Sequence, residues 1–353
     1  MPRRVTVVVV AVVGLALLAA AIIVAVHWWQ GRDDTAFEQA ASYAPSDAER
    51  LSWTDWSAVR RQAGADLDVD SSSDAVESFL DDVYEDDVTS ASALVQSAPV
   101  LQSRFGFSPA NADWELFSQS AEGAVVIVKL PDGEAVDAVA DRLDDLGFTE
   151  PDEGAGVWKG GDTLLPEIGD NLTPELQYVA LDADEGLVLT SDRDDYLRQV
   201  VDGLGDDELP SPIRSVVAAS GEPLSAAVYD GDQVCRALAM SQADDDDQQT
   251  ADRLIDEAGT VDPMTAYAMS VQPGGDVRTV MAFADDDQAR TNAKSRATLA
   301  AGPAPGQGGD FSDRFSVGSA TAEGDLVTID LDPTSGSYVF SDLSSGPVLF
   351  ATC

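Results

Sequence analysis

The sequence predicts an α+β protein with three parts: an N-terminal transmembrane helix, a small helical region, and an antiparallel sheet built from two hairpin–helix–hairpin pseudo-repeats. Three observations predict it. One apolar run, Val5–Trp29, carries no formal charge between Arg4 and Arg32. Several short segments alternate apolar and polar residues on either side of Gly-containing turns, the mark of hairpins. Between them lie stretches with apolar residues three and four apart, opened by Asp or Ser and closed by Gly, the mark of capped helices.

The apolar run is long enough to cross a bilayer core of about 30 Å as a helix. Arg3 and Arg4 precede it; His27, Trp28, Trp29 and then Asp33 and Asp34 follow. Positive residues stay in the cytoplasm and tryptophans settle at the interface, so residues 1–29 read as a cytoplasmic tip and anchor, with 30–353 outside. Ala19-Ala20-Ala21 would suit signal-peptide cleavage, but the apolar run continues through Val26, which favours a retained single-pass anchor in the cell membrane.

Residues 30–45 read as a juxtamembrane stalk with a short helix near Thr35–Ala41. Residues 46–204 read as a helical region followed by the first α+β repeat. A helix is expected from Ser46, and another capped by Thr54 or Asp55 and ended by Gly64. Trp53 and Trp56, three apart, would share one helical face, as a core anchor or a sugar-stacking platform. In the stretch 66–77, Asp66, Asp68, Asp70, Asp74 and Glu77 stand at positions 1, 3, 5, 9 and 12 of a twelve-residue loop. It resembles the EF-hand calcium loop, with Ser71 in place of the turn glycine and Ser73 where an apolar residue belongs. The competing reading is a helix capped by Ser73. Helical pattern returns at Ser90–Ser97 and Val100–Phe105 and stops at Gly106.

The first repeat follows: a hairpin of 115–119 and 124–130, a helix capped by Asp132 and ended by Gly147, a short strand at Val157–Lys159, and a loop with Pro166 and Pro174. A second hairpin, 177–181 and 187–190, turns at Asp184-Glu185-Gly186, and Ser191 caps a helix to Leu204. Gly205–Pro212 reads as a linker. Residues 205–353 form the second repeat: a short helix from Ile213, a strand at Leu224–Tyr229, the helix holding Cys235, then Asp244–Asp247, read as a solvated loop. A hairpin around Pro273-Gly274-Gly275 and a helix capped by Asp285 come next, then a flexible GPAPGQGG loop and a hairpin at Glu323-Gly324. The last pieces are Tyr338–Leu343 and a strand at Val348–Cys353. Hairpins with helices on one face give the layered α+β architecture.

Cys235 and Cys353 are the two cysteines. Outside the membrane an even pair predicts one disulfide; the alternative is two buried thiols. The formal net charge is −44. That balance repels phosphate backbones and excludes nucleic acid as a partner. The single histidine, His27, sits in the predicted anchor, which removes histidine bases and most zinc sites. No GxSxG, SxxK or Walker loop occurs. Asp182 and Asp184 share a hairpin turn, where aspartate is favoured for backbone reasons. The expectation is therefore a non-catalytic interaction or structural module of the envelope, without cofactor, partnered by the bilayer through residues 5–29 and by an envelope protein or glycan. The alternatives are a calcium- or small-ligand-binding ectodomain and an acid-based glycan hydrolase.

Overall fold

The computed structural model describes residues 34–152 and 156–353. The predicted anchor, Val5–Trp29, lies outside the described residues. Among those that are described, no helix is long and apolar enough to cross a membrane.

In chain order the elements are α1 (Ala36–Ala41), β1 (Arg50–Thr54), α2 (Trp56–Ala63), α3 (Ser73–Tyr84), an irregular helical run from Val95 to Phe105, β2 (Trp114–Gln119), β3 (Ala124–Lys129), α4 (Gly133–Leu146), β4 (Val157–Lys159) and α5 (Gly161–Ile168). Then come β5 (Tyr178–Asp182), β6 (Leu187–Ser191), α6 (Asp194–Asp202), α7 (Ser211–Ser220), β7 (Ser225–Asp230), α8 (Gly231–Ala237) and α9 (Asp245–Ala258). The chain closes with β8 (Ala266–Val271), β9 (Val277–Ala282), α10 (Asp286–Ala300), β10 (Phe315–Glu323), β11 (Leu326–Pro333) and α11 (Val339–Leu343).

The eleven strands among the described residues join one antiparallel sheet, ordered β10-β11-β9-β8-β7-β1-β2-β3-β6-β5-β4. The axis of that order is the β1–β7 pair, with Ser52 opposite Ala227. Outward from it one side meets β2, β3, β6, β5 and β4, and the other meets β8, β9, β11 and β10. On each side a hairpin leads into a helix capped by an extended aspartate. Asp132 accepts from the Ala135 N–H, and Asp285 accepts from the Gln288 N–H. Such a cap satisfies one of the N–H groups that a helix start leaves unpaired. Gly147 closes α4 at φ 91°, a left-handed conformation that costs a glycine little.

The sheet separates two cores. Along β3, Val125 and Ile127 enter one and Val126 and Val128 enter the other. Helices α1, α6 and α7 cover the first face, through Phe37, Leu197 and Val216; α2, α3, α4, α5, α8, α10 and α11 cover the second. Helices on one face only was therefore too few. The middle strands have both faces buried, which is why their apolar residues run on without alternating.

Several local expectations are corrected. The segment from Ser46 is no helix: Arg50–Thr54 is the central strand β1, hydrogen-bonded on both sides. Trp53 and Trp56 therefore enter opposite cores instead of sharing a face. Helix α1 packs into the body, with the Phe37 ring 5.1 Å from Trp53, so residues 36–44 are no free stalk. The segment 205–212 links two sides of one continuous sheet, and Leu209 in it is buried. Ser72, not Ser73, caps α3. Ser191 makes no helix cap; its hydroxyl donates to Ala124 O and accepts from the Arg193 N–H. Pro166 lies inside α5, where burial of Leu165 and Ile168 outweighs propensity. The Asp244–Asp247 run opens α9: Asp244 accepts from the Asp246 and Asp247 N–H groups, and the next three acids sit in a first turn that favours negative charge. The C-terminal strand is a 3₁₀ turn, Leu349–Ala351.

Candidate functional site

A cleft opens beside α1, the β5–β6 turn and the end of α6, with a volume of about 630 Å³. Its floor is apolar: Ala180 and Leu189 from the sheet, Val201 and Leu204 from the α6 end. Its rim is acidic, because the β5–β6 turn is Asp182-Ala183-Asp184-Glu185. The Asp182 carboxylate accepts from the Glu185 N–H at 2.9 Å and fixes the turn. Lys129 Nζ donates to the Glu185 carbonyl from behind.

Tyr43 stands over this rim. Its hydroxyl donates to Glu185 Oε2 at 2.8 Å, and its ring stacks on Trp114 at 6.3 Å. Burial, and then the hydrogen bond to Glu185, pushes the hydroxyl up to about 12, so it stays protonated at neutral pH. Tyr43 is also a wall of a second, smaller cleft of about 240 Å³, into which Asp47, Glu122 and Asp207 face. Both hydroxyls of the first cleft are engaged as donors, Tyr43 to Glu185 and Ser42 to Gln39 O at 2.7 Å. What the cleft offers an occupant is therefore carboxylate acceptors above an apolar floor.

Of the residues singled out in sequence, Asp182 and Asp184 do come to this cleft. The five calcium-loop residues are not brought together. Asp68 folds back on its own loop, accepting from the Asp70 N–H and the Ser71 hydroxyl, while Asp74 and Glu77 ride on α3. Among the described residues no group of three or more acidic, histidine or cysteine side chains could hold a metal ion. The predicted disulfide is present: Cys235 and Cys353 are bonded, with Cα atoms 5.6 Å apart.

Sequence reasoning missed Tyr43 and Glu185 as partners, since 142 positions separate them. It also missed Glu115. That carboxylate is wholly buried on β2 and accepts from Trp56 Nε1 at 3.0 Å and the Ala93 N–H at 2.8 Å. Burial pushes it up to about 7. Its one visible signal is a charged residue between the apolar Trp114 and Leu116 of a strand.

No family model matches this chain, and no curated protein matches it. It is similar to solved structures of TP0453. Crystal form I aligns at 10% identity and a TM-score of 0.41, covering 86% of this chain and 96% of that one. Form IV aligns at 9% identity and a TM-score of 0.38, covering 88% and 99%. A likeness at that level carries no functional assignment.

Proposed function

We propose that this protein is a membrane-tethered, extracytoplasmic binding module of the cell envelope, without catalytic function, whose ligand site is the Tyr43 cleft. The single observation that carries the ligand reading is the acceptor-only rim above an apolar floor. Such a cleft suits a ligand with an apolar body and a hydrogen-bond-donating, preferably cationic, head. The apolar span Val5–Trp29 and the arginines before it support the tether and its orientation. The matching order of strands on either side of β1–β7, with Asp132 and Asp285 as equivalent caps, supports two pseudo-repeats fused edge to edge. Fusion of that kind hides the edge each repeat would otherwise expose.

The test uses the full chain in detergent and two small probes that differ in head-group charge, phenethylammonium and phenylacetate. Trp114, stacked on Tyr43, is the fluorescent reporter. The expected result is saturable binding of the ammonium, weakened at least about fivefold by Glu185→Gln, and no binding of the carboxylate. Equal binding of both probes, or indifference to Glu185→Gln, overturns the ligand reading. Turnover of an envelope polymer by the protein overturns the non-catalytic one.

A further inference from the structure

Another cavity, of about 400 Å³, lies where segments from both sides of the sheet converge. Gln62 near the end of α2, Glu85 and Asp86 after α3, Gly274 in the β8–β9 turn and Ser337 before α11 meet around it. The Gln62 side chain accepts from the Gly274 N–H at 3.1 Å and ties two of these segments together.

Next to its Glu85 and Ser337 walls stand two tyrosines whose rings are tilted by 35° to one another. The rings of Tyr84 and Tyr338 are 5.5 Å apart, and the Tyr338 hydroxyl donates to Glu85 Oε2 at 3.0 Å. Tyr84 is 53% exposed; with Val69 it is one of two large hydrophobic side chains left open among the described residues. The pair is rigidly mounted. Asp87, in the left-handed region at φ 59°, accepts from the Phe340 N–H, the Ser341 N–H and the Ser341 hydroxyl, locking the end of α3 to the start of α11. A non-glycine residue in that region stores strain that the surrounding structure must hold.

The charges here oppose the local rule for helices. The C-terminal end of a helix is its negative end and favours cations. The last turn of α3 contains no basic residue; it carries Asp81 and Asp82, and Glu85 and Asp86 follow directly. No lysine or arginine pairs with Glu85 or Asp86 among the described residues. Acids at a helix C-terminus gain from a nearby cation, and so does the open face of Tyr84 beside the half-buried Tyr338, so one kind of occupant suits both.

We propose that the Tyr84–Tyr338 platform, with Glu85 and Asp86, is a binding site for an organic cation, an ammonium or guanidinium group seated on the ring face. The rings supply the cation–π attraction, and the two carboxylates and the helix terminus supply the field. The group arrives either on a free polyamine or on a lysine or arginine side chain of a partner. This site is separate from the Tyr43 cleft and does not depend on it.

The test is equilibrium dialysis of the full chain in detergent at fixed ionic strength. Spermidine and a glycine-flanked arginine peptide are the probes, and magnesium is the control for simple screening of the −44 net charge. The expected result is saturable binding of at least one organic probe that magnesium does not displace. Tyr84→Ala should weaken it about five- to tenfold while Tyr84→Phe retains it. The probe that binds more tightly identifies the source of the cation. Unchanged affinity in a folded Tyr84→Ala protein, displacement by magnesium at matched ionic strength, or no saturable binding of either probe overturns the proposal.

Discussion

The two ends of the sheet are finished differently. Around β4–β6, side chains of both faces are buried: Ala180, Leu187 and Leu189 pack with Leu197 and Val200 of α6, while Val179 and Val188 pack with Leu165 and Ile168 of α5. Around β10–β11 one face is buried, through Val327, Ile329 and Leu331. The other face presents Ser316, Ser319, Thr321, Thr328 and Asp330, exposed or half-buried, with Arg278 paired to Asp330 at 2.9 Å. The strands say so themselves: β6 reads LVLTS without alternation, and β11 reads LVTIDLDP, alternating from Val327 to Asp332. Regular alternation marks a sheet end with one open face, and its loss marks a sheet end under helices on both sides.

The half of the sheet that ends open also carries a covalent staple. The tail after α11 is joined to α8 through Cys235–Cys353, across 118 positions. It is also the seat of Arg296, fully buried on α10, which donates to Phe350 O, Thr352 O, Asp262 O and Asn292 Oδ1. If the staple secures the C-terminal tail, Cys235→Ser with Cys353→Ser should lower the unfolding free energy by about 4–5 kcal/mol, the loop-closure value for a loop of this size. Denaturant unfolding of the two proteins reads it directly. A loss below about 1 kcal/mol would mean that the Arg296 hydrogen bonds hold the tail without help.

Arg296 on one side of the sheet and Glu115 on the other are each buried with neutral hydrogen-bond partners, with opposite shifts. Burial pulls the Arg296 guanidinium down to about 10, still protonated at pH 7. Burial pushes Glu115 up to about 7 from 4.5. A carboxyl raised in the folded state binds its proton more tightly there than in the unfolded chain. Its contribution is therefore full below about 4.5, falls as pH rises to about 7, and is absent above. The step is on the order of 3 kcal/mol. Glu115→Gln should flatten it and stabilise the protein at pH 8, measured against wild type in high salt so that general self-repulsion is screened. An unchanged pH slope would show that Glu115 is hydrated and ordinary.

The same physics decides what could be read from sequence. The hairpins were legible because their turns are short and their strands alternate; the caps Asp55, Asp132 and Asp285 were legible because capping is local. Strand β1 was not: its alternation of polarity spans only Arg50–Thr54 and runs straight into the Asp55 cap, although Leu51 and Trp53 face one core and Ser52 and Thr54 are also buried. Helix α9 was hidden because four aspartates look like a solvated run until the first is seen to cap a helix that the other three open. At the cleft, the turn acids Asp182 and Asp184 stood out, but Tyr43 joins Glu185 only through the folded sheet.

The finest contrast between the two ends lies in paired substitutions of opposite sense. Val188 on β6 is fully buried and Thr328 on β11 is half-buried on the open face. Val188→Thr places a hydroxyl among apolar neighbours and should cost about 1–3 kcal/mol. Thr328→Val exchanges one isosteric side chain for another at the edge of water and should change stability by less than about 0.5 kcal/mol. Denaturation midpoints at constant slope are the measurement. A gain of 1 kcal/mol or more from Thr328→Val would mean that this face is dry in the folded protein, and so covered by something that the polar residues of β10 and β11 do not announce.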